Sequence, residues 1–355
     1  MNPLMIIIAL LAFGLLIFVH ELGHFLAAKF GGIQVNEFAL GMGPKLISFV
    51  RGETRYSLRT FPIGGFCAME GLDEDSDDQN PRAFGRVKLH KRFAAIAAGS
   101  AMNLLLGFIL IAIFSANQSL IATNQVAVFH ENAVSNQWLM ELDTITRING
   151  SRVRNANDIM YHFSRSRDGV LDIEVMRDGE RIQLTGVTFP MFEAEGTRFL
   201  ARDLFFVGVQ PTPQGVITDA FNRTTSAVRM VWGSLVDLVT GRFGFNQISG
   251  PIGLTVAIGE TVTTGVERGG VREGALDLLF LVSLISVNLG IFNLLPFPAL
   301  DGGRIIFLIV EALRRKPVPA KFESAVNTVG FALLIMLIIV VTFNDIFRRI
   351  LGFGG

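Results

Sequence analysis

His20-Glu21-Leu22-Gly23-His24 sets two imidazoles four residues apart with a carboxylate between them. On a helix, residues four apart share a face. His20 and His24 can therefore bind one Zn2+ through ring nitrogens, with Glu21 beside them to polarise a water. The same pattern occurs by chance in long soluble chains. Here it lies near the end of an apolar run from Leu4 to about Phe30. A charged group at mid-bilayer costs about 2.5–3.5 kcal/mol on insertion scales, so membrane helices seldom carry one without a use. The bland alternative is a set of polar residues at the interfacial end of a helix.

Zinc hydrolases usually take three protein ligands and leave one position open. Another histidine is an option, but His90, His130 and His162 fall in loops or in the long segment 116–275. Asp301 is the better candidate. It follows Asn293-Leu-Leu-Pro296-Phe-Pro298-Ala-Leu300 and precedes Gly302-Gly303, where an apolar stretch is interrupted. Pro and Gly within membrane reach free backbone carbonyls, which need internal partners or a water-lined cavity. The alternative for Asp301 is a helix cap at a loop. Asn103, in Gly99-Ser-Ala-Met-Asn103, is by default an inter-helix hydrogen-bonding residue. Its sharper reading faces substrate or transition state.

These residues must be held by membrane helices. Half of the 355 residues (50%) are AVILMFWYC and only 17% are charged. Soluble domains carry roughly 25% charged residues. Four stretches suit the roughly 20 apolar residues of a crossing: Leu4–Phe30, Phe93–Ser115, Leu276–Leu295 and Val329–Phe343. The first lacks a basic start and a small-residue cleavage site, so it reads as a retained span rather than a signal peptide. Basic residues crowd 31–92 and 304–321. The positive-inside rule then places both short loops in the cytoplasm, and segment 116–275 and both termini outside. Lys+Arg and Asp+Glu are both 31, which excludes a nucleic-acid surface as the main theme. The single cysteine, Cys67, excludes an internal disulfide.

Between the first two spans, Leu46–Val50 and Tyr56–Phe61 flank an Arg51-Gly52 turn, and Pro62-Ile-Gly64-Gly65-Phe66 follows. This predicts a β-hairpin beside the membrane whose free edge suits an extended peptide. Leu72–Asp78 is an acidic run, read as a solvated loop. Residues 116–200 predict a small α+β module. Asp143–Asn149 alternates, Asn155–Phe163 has helical spacing with an Asn start, and Val170–Met176 and Arg181–Thr185 flank an Asp178-Gly179 turn. The order suits a PDZ-like peptide-binding module, against any other small α+β domain. Residues 201–274 read as a linker with an amphipathic helix over 216–240. The helix suits either packing on protein or lying on the membrane surface. Ser249-Gly-Pro-Ile-Gly253 reads as a turn. The fold class is thus a polytopic α-helical membrane protein of about four spans, with a membrane-associated β-hairpin and one outer PDZ-like domain.

His-Glu-Leu-Gly-His in the first span, Gly-x-x-x-Asn in the second and Asn-x-x-Pro-x-Pro-x-x-Asp-Gly at the third together resemble the site-two protease family of intramembrane zinc metalloproteases. Pro62-Ile-Gly-Gly-Phe66, the PDZ-like module and Ser249–Gly253 look like its bacterial RseP/RasP branch. The resemblance covers nearly the whole chain. It implies His20, His24 and Asp301 as Zn2+ ligands and Glu21 as the base. It implies Asn103, Asn293 and Pro296 near the active site, and Pro62, Gly64 and Gly65 in a loop that contacts substrate. It implies cleavage inside transmembrane segments of single-span proteins, such as anti-sigma factors or remnant signal peptides, after an upstream site-one protease has trimmed them. Three departures stand out. There is room for one PDZ-like module where some relatives carry two, and no Gly-rich carboxylate-binding loop is evident around Ala127–Val134. Ser100 stands where relatives often carry Pro.

The rival class is a non-catalytic membrane scaffold with a vestigial metal site. Glu21 speaks against it, because a scaffold needs no carboxylate between two imidazoles in a membrane helix. A transporter fits less well, since four spans without an evident repeat offer little symmetry for alternating access.

Overall fold

Apolar runs in lipid have no water for their backbone groups, and a helix satisfies every N–H and C=O internally. The computed structural model describes residues 3–72, 80–166, 168–194, 197–241 and 250–350; most of the acidic run 72–78, and Ser249, lie outside the described residues. In chain order the elements are α1 (Pro3–Gly31), β1 (Val35–Arg51), β2 (Thr54–Met69), α2 (Leu89–Ala116), β3 (Ile121–Phe129), β4 (Thr144–Ile148), β5 (Ser151–Arg152), α3 (Ala156–Arg165), β6 (Val170–Arg177), β7 (Glu180–Thr188), β8 (Met191–Ala194), β9 (Thr197–Leu200), β10 (Leu204–Val209), α4 (Pro213–Val239), α5 (Pro251–Asn293), α6 (Asp301–Arg314) and α7 (Ala320–Ile350). Helices α1, α2, α5 and α7 are long and apolar enough to cross a membrane. The chain divides into two compact units, one of Met1–Leu110 with Val231–Gly355 and one of Ile111–Met230.

In the first unit, α5 is broken at Gly269 and Gly270, the latter at φ 78°. The backbone reverses there, because a Cβ on Gly265 would lie only 2.7 Å from Gly274 Cα. Arg268 Nη2 and Asp277 Oδ2, 3.2 Å apart, bridge the two arms. The stretch Ser249–Gly253, read from the sequence as a turn, is helical from Pro251, with Gly250 as the N-cap of α5. The buried Asp345 of α7 accepts the N–H groups of Gly250 (3.0 Å) and Gly253 (2.9 Å), satisfying donors that a helix start leaves free.

The predicted β-hairpin is longer than expected and curls on itself. Residues 35–40 of β1 pair with 65–69 on one side and with 55–58 on the other, while 45–51 pair with 54–59. The bend in β1 falls at Gly41 and Gly43, both with positive φ (87° and 86°). Its base is packed in a core of Ala28, Ile33, Phe38, Cys67, Ile96 and Leu308, which joins α1, α2 and α6. Arg92 grips Glu311 through two hydrogen bonds, 2.7 and 3.0 Å, tying α2 to α6.

Glu37 holds the curl together. It accepts from Ser57 Oγ (2.6 Å) and Arg59 Nη2 (2.8 Å) and pairs with Lys45 Nζ (3.2 Å). Burial alone would raise its carboxyl, but the bonds from Ser57, Arg59 and Lys45 outweigh that and lower it from 4.5 to about 2. A carboxylate whose folded value is depressed stabilises fully above its ordinary value. That contribution is lost as pH falls from 4.5 towards about 2. Amide exchange of residues 54–59, compared at matched pH between wild type and Glu37→Gln, should show extra protection in the wild type at neutral pH. The difference should vanish across that acid window.

In the second unit, β10, β3, β4, β6 and β7 lie side by side in that order, and β5 pairs with β4. Alternate residues of these strands, with Ile159 and Phe163 of α3, form a buried core. Asn155 caps α3 by accepting the Asp158 N–H (2.9 Å), as the sequence suggests. Asp178 and Gly179 take positive φ in the predicted hairpin turn. The sequence reading ends the module at residue 200. The sheet instead continues into β10, which pairs with β3. Leu204 is buried in that core.

Candidate metal centre

The site is built where α1 crosses α2 and meets the start of α6. Gly99 permits the crossing: a Cβ there would overlap His24 Nε2 and come within 2.8 Å of His20 Cε1. Gly99→Val is expected to push α2 off the two rings, at about 1–3 kcal/mol of strain. Zinc content of the purified variant should drop while its helical circular dichroism stays near wild type.

Asp301 is the first residue of α6, just after the Pro-containing loop. Gly302 lets the loop fold back onto this helix start, because a Cβ there would collide with the Leu294 and Leu295 carbonyls. Ala299 sits at φ 71°, a strained conformation for a non-glycine residue. Asn327 of α7 secures it by accepting the Ala299 N–H at 3.2 Å. Nothing in the sequence singled out Asn327; its only signal is an amide near the start of an apolar span.

His20 Nε2 and His24 Nε2 lie 3.1 Å apart. Asp301 Oδ2 is 3.3 Å from the first and 3.4 Å from the second. Both rings are buried. Asp301 Oδ2 is buried without a hydrogen bond among the described residues. Three such atoms repel one another unless a cation or a proton lies between them. Tetrahedral zinc with bonds of about 2.0–2.1 Å sets its ligand atoms about 3.3 Å apart. The residues present therefore fit Zn2+. Among the described residues they form the one group of three or more His, Cys, Asp or Glu side chains that could hold a metal.

Glu21 borders the same cavity, of about 410 Å³, together with Gly64, Gly65, Asn293 and Arg304. Gly65 lies against Glu21, since a Cβ there would be 3.2 Å from Glu21 Cγ. Asn293 Nδ2 is 3.4 Å from His20 Nε2, and the fully buried Asn103 has Nδ2 3.1 Å from His20 Nδ1. Pro296 is exposed in the loop and does not border the cavity. The Pro62 side chain lies outside the described residues.

The family model for peptidase family M50 matches residues 8–337. The chain belongs to peptidase family M50. A putative zinc metalloprotease of Clostridium perfringens is 37% identical over 354 residues, covering 98% of this chain and 99% of that protein. The zinc metalloprotease RasP of Shouchella clausii is 30% identical over 98% of this chain and 99% of its own length. The regulator of sigma-W protease RasP of Bacillus subtilis is 29% identical, with the same shares covered. This M50 protein is thus a zinc metalloprotease of the RseP/RasP, site-two protease type, which decides between enzyme and scaffold. With four membrane-length helices it is a multi-pass membrane protein and an intramembrane protease.

Proposed function

We propose that His20, His24 and Asp301 hold the zinc, and that Glu21 is the general base for peptide-bond hydrolysis within a substrate's transmembrane segment. The observation that carries this is the spacing of 3.1, 3.3 and 3.4 Å among the three ligand atoms. When bound, Zn2+ supplies Lewis acidity, making water a nucleophile near neutral pH and drawing electron density from a carbonyl. Glu21 takes the proton from the attacking water and returns it to the leaving amine nitrogen. The outcome is one C–N bond broken, with a new carboxylate and a new amine.

A substrate helix hides its carbonyls in its own hydrogen bonds, so it must unwind at the cut. Residues 64–67 of β2 border the cavity, and β1 pairs with 65–69 on one side only. We assign to this strand the role of holding the unwound substrate extended, so that freed amides find partners rather than lipid. Gly64 and Gly65 leave room for that backbone. Asn293 borders the same space.

The orientation that follows from the basic loops puts the hairpin and the metal site near the cytoplasmic face, with the termini and the Ile111–Met230 unit outside. We read that unit as PDZ-like and as a steric gate. The N–H groups of Val134 and Ser135 are already taken by the buried Asp203 carboxylate, at 2.8 and 2.9 Å. This favours a gate over the capture of C-termini in that loop. Substrates are then single-span proteins already trimmed by a site-one protease, of the anti-sigma or remnant-signal-peptide kind. The name of the Bacillus subtilis relative, regulator of sigma-W protease RasP, supports this class.

The test is cleavage of matched trimmed and untrimmed single-span substrates. The wild type should prefer the trimmed form. Excision of residues 119–211 should erase that preference, and an unchanged preference would refute the gate.

A further inference from the structure

His24 Nδ1 is 2.8 Å from the Ala95 carbonyl. A carbonyl only accepts, so His24 carries its ring hydrogen on Nδ1 and keeps the Nε2 lone pair for a metal. His20 needs the same arrangement. Its Nε2 faces His24 Nε2 (3.1 Å) and Asp301 Oδ2 (3.3 Å). Its Nδ1 faces Asn103, whose amide nitrogen lies 3.1 Å away. In that orientation the amide donates to Nδ1 and drives the hydrogen to Nε2, where it blocks metal binding. Meanwhile Asn103 Oδ1 is buried with no partner among the described residues.

Turning the amide by 180° exchanges its nitrogen and oxygen in almost the same volume. Oδ1 then accepts the Nδ1–H of His20, and the amide nitrogen takes the place where Oδ1 has no partner among the described residues. Asn103 is well placed to act this way. It is fully buried, and its backbone carbonyl accepts from the buried Ser286 hydroxyl at 2.7 Å, which locks α2 to α5 at this level. We infer that Asn103 is a positioning residue that sets the tautomer of His20 by accepting its Nδ1–H, rather than a group that touches substrate. The inference rests on His20 being a zinc ligand, as proposed above.

The experiment measures zinc affinity by chelator competition on the full-length protein, for wild type, Asn103→Ala, Asn103→Asp and His20→Ala. Thermal unfolding of the zinc-free forms monitors folding separately. Lost outer partners of metal-bound histidines typically weaken metal binding by about 10–100-fold, and Asn103→Ala should fall in that range. Asn103→Asp keeps only acceptors and should bind zinc at least as tightly as wild type. Wild-type zinc affinity in Asn103→Ala, with any loss confined to kcat, would overturn the inference in favour of substrate contact. Equal weakening in Asn103→Ala and a folded Asn103→Asp would overturn it in favour of simple packing. If Asn103→Asp does not fold, Asn103→Leu, which fills the space without an acceptor, takes its place: wild-type zinc affinity there would overturn the inference in favour of simple packing. His20→Ala separates the two levels: undiminished zinc affinity there defeats the ligand assignment and this inference with it. Loss there, with an unaffected Asn103→Ala, defeats this inference alone.

Discussion

Glu21→Gln is expected to lower kcat by about 10²–10⁴-fold, the range general acid–base catalysis contributes, with zinc content unchanged. Gln keeps the shape and polarity of Glu but cannot accept the proton of the attacking water. Glu21 borders the cavity between the ligand cluster and the hairpin strand, next to Gly65. It is not itself among the three side chains whose ligand atoms meet. The variant should therefore still bind a trimmed substrate, and KM should move little. Loss of zinc in Glu21→Gln would instead make Glu21 part of the metal's support.

Asp301→Asn is expected to remove both zinc and activity. It replaces the one anion of the proposed ligand set with an amide, beside two imidazole nitrogens 3.1 Å apart. Losing an outer-shell partner alone costs about 10–100-fold in affinity, so losing a direct ligand should exceed roughly 100-fold. Supplying excess zinc should restore part of the activity if the loop holds its shape. That shape depends on the Gly302 close approach and on the Asn327 bond to Ala299, neither of which involves the Asp301 side chain. Metal analysis and cleavage rates across a zinc titration check this. Full zinc occupancy in Asp301→Asn at wild-type affinity would remove Asp301 from the ligand set.

The histidine pair and Glu21 are legible in the sequence because helical spacing converts directly into a shared face. Asp301 is legible because Pro296, Pro298 and two glycines interrupt an apolar stretch, which a membrane tolerates only where protein or water covers the backbone. Helix α6 is not legible for the same reason. Gly302 and Gly303 read as breakers, whereas they open the helix by letting the loop pack against it. The curl of the hairpin leaves no mark on alternation, since a strand that bends keeps its period of two; Gly41 and Gly43 are its only trace. The reversal inside α5 is written in Gly269-Gly270, yet the charged residues around it, Glu267, Arg268, Arg272 and Glu273, read as part of a linker ahead of the third span. Strand β10 falls beyond a module boundary drawn from local patterning, because its partner β3 is about 80 residues away in sequence and pairing at that range has no local signature. Asn103 and Asn327 show the limit most clearly. An asparagine in a span signals a hydrogen bond, but only the fold reveals that one meets the His20 ring and the other a strained loop.

The most direct test of intramembrane cleavage maps the cut itself. A single-span peptide, trimmed on its outer side, would be reconstituted in lipid nanodiscs with zinc-loaded wild type or with Glu21→Gln. Products would be identified by mass spectrometry and zinc measured on the same samples. One cut within the apolar segment is expected from the wild type, and none from a Glu21→Gln variant that carries equal zinc. A zinc-loaded wild type that cuts only outside the apolar segment, or a Glu21→Gln variant that cuts as fast as wild type, would contradict it.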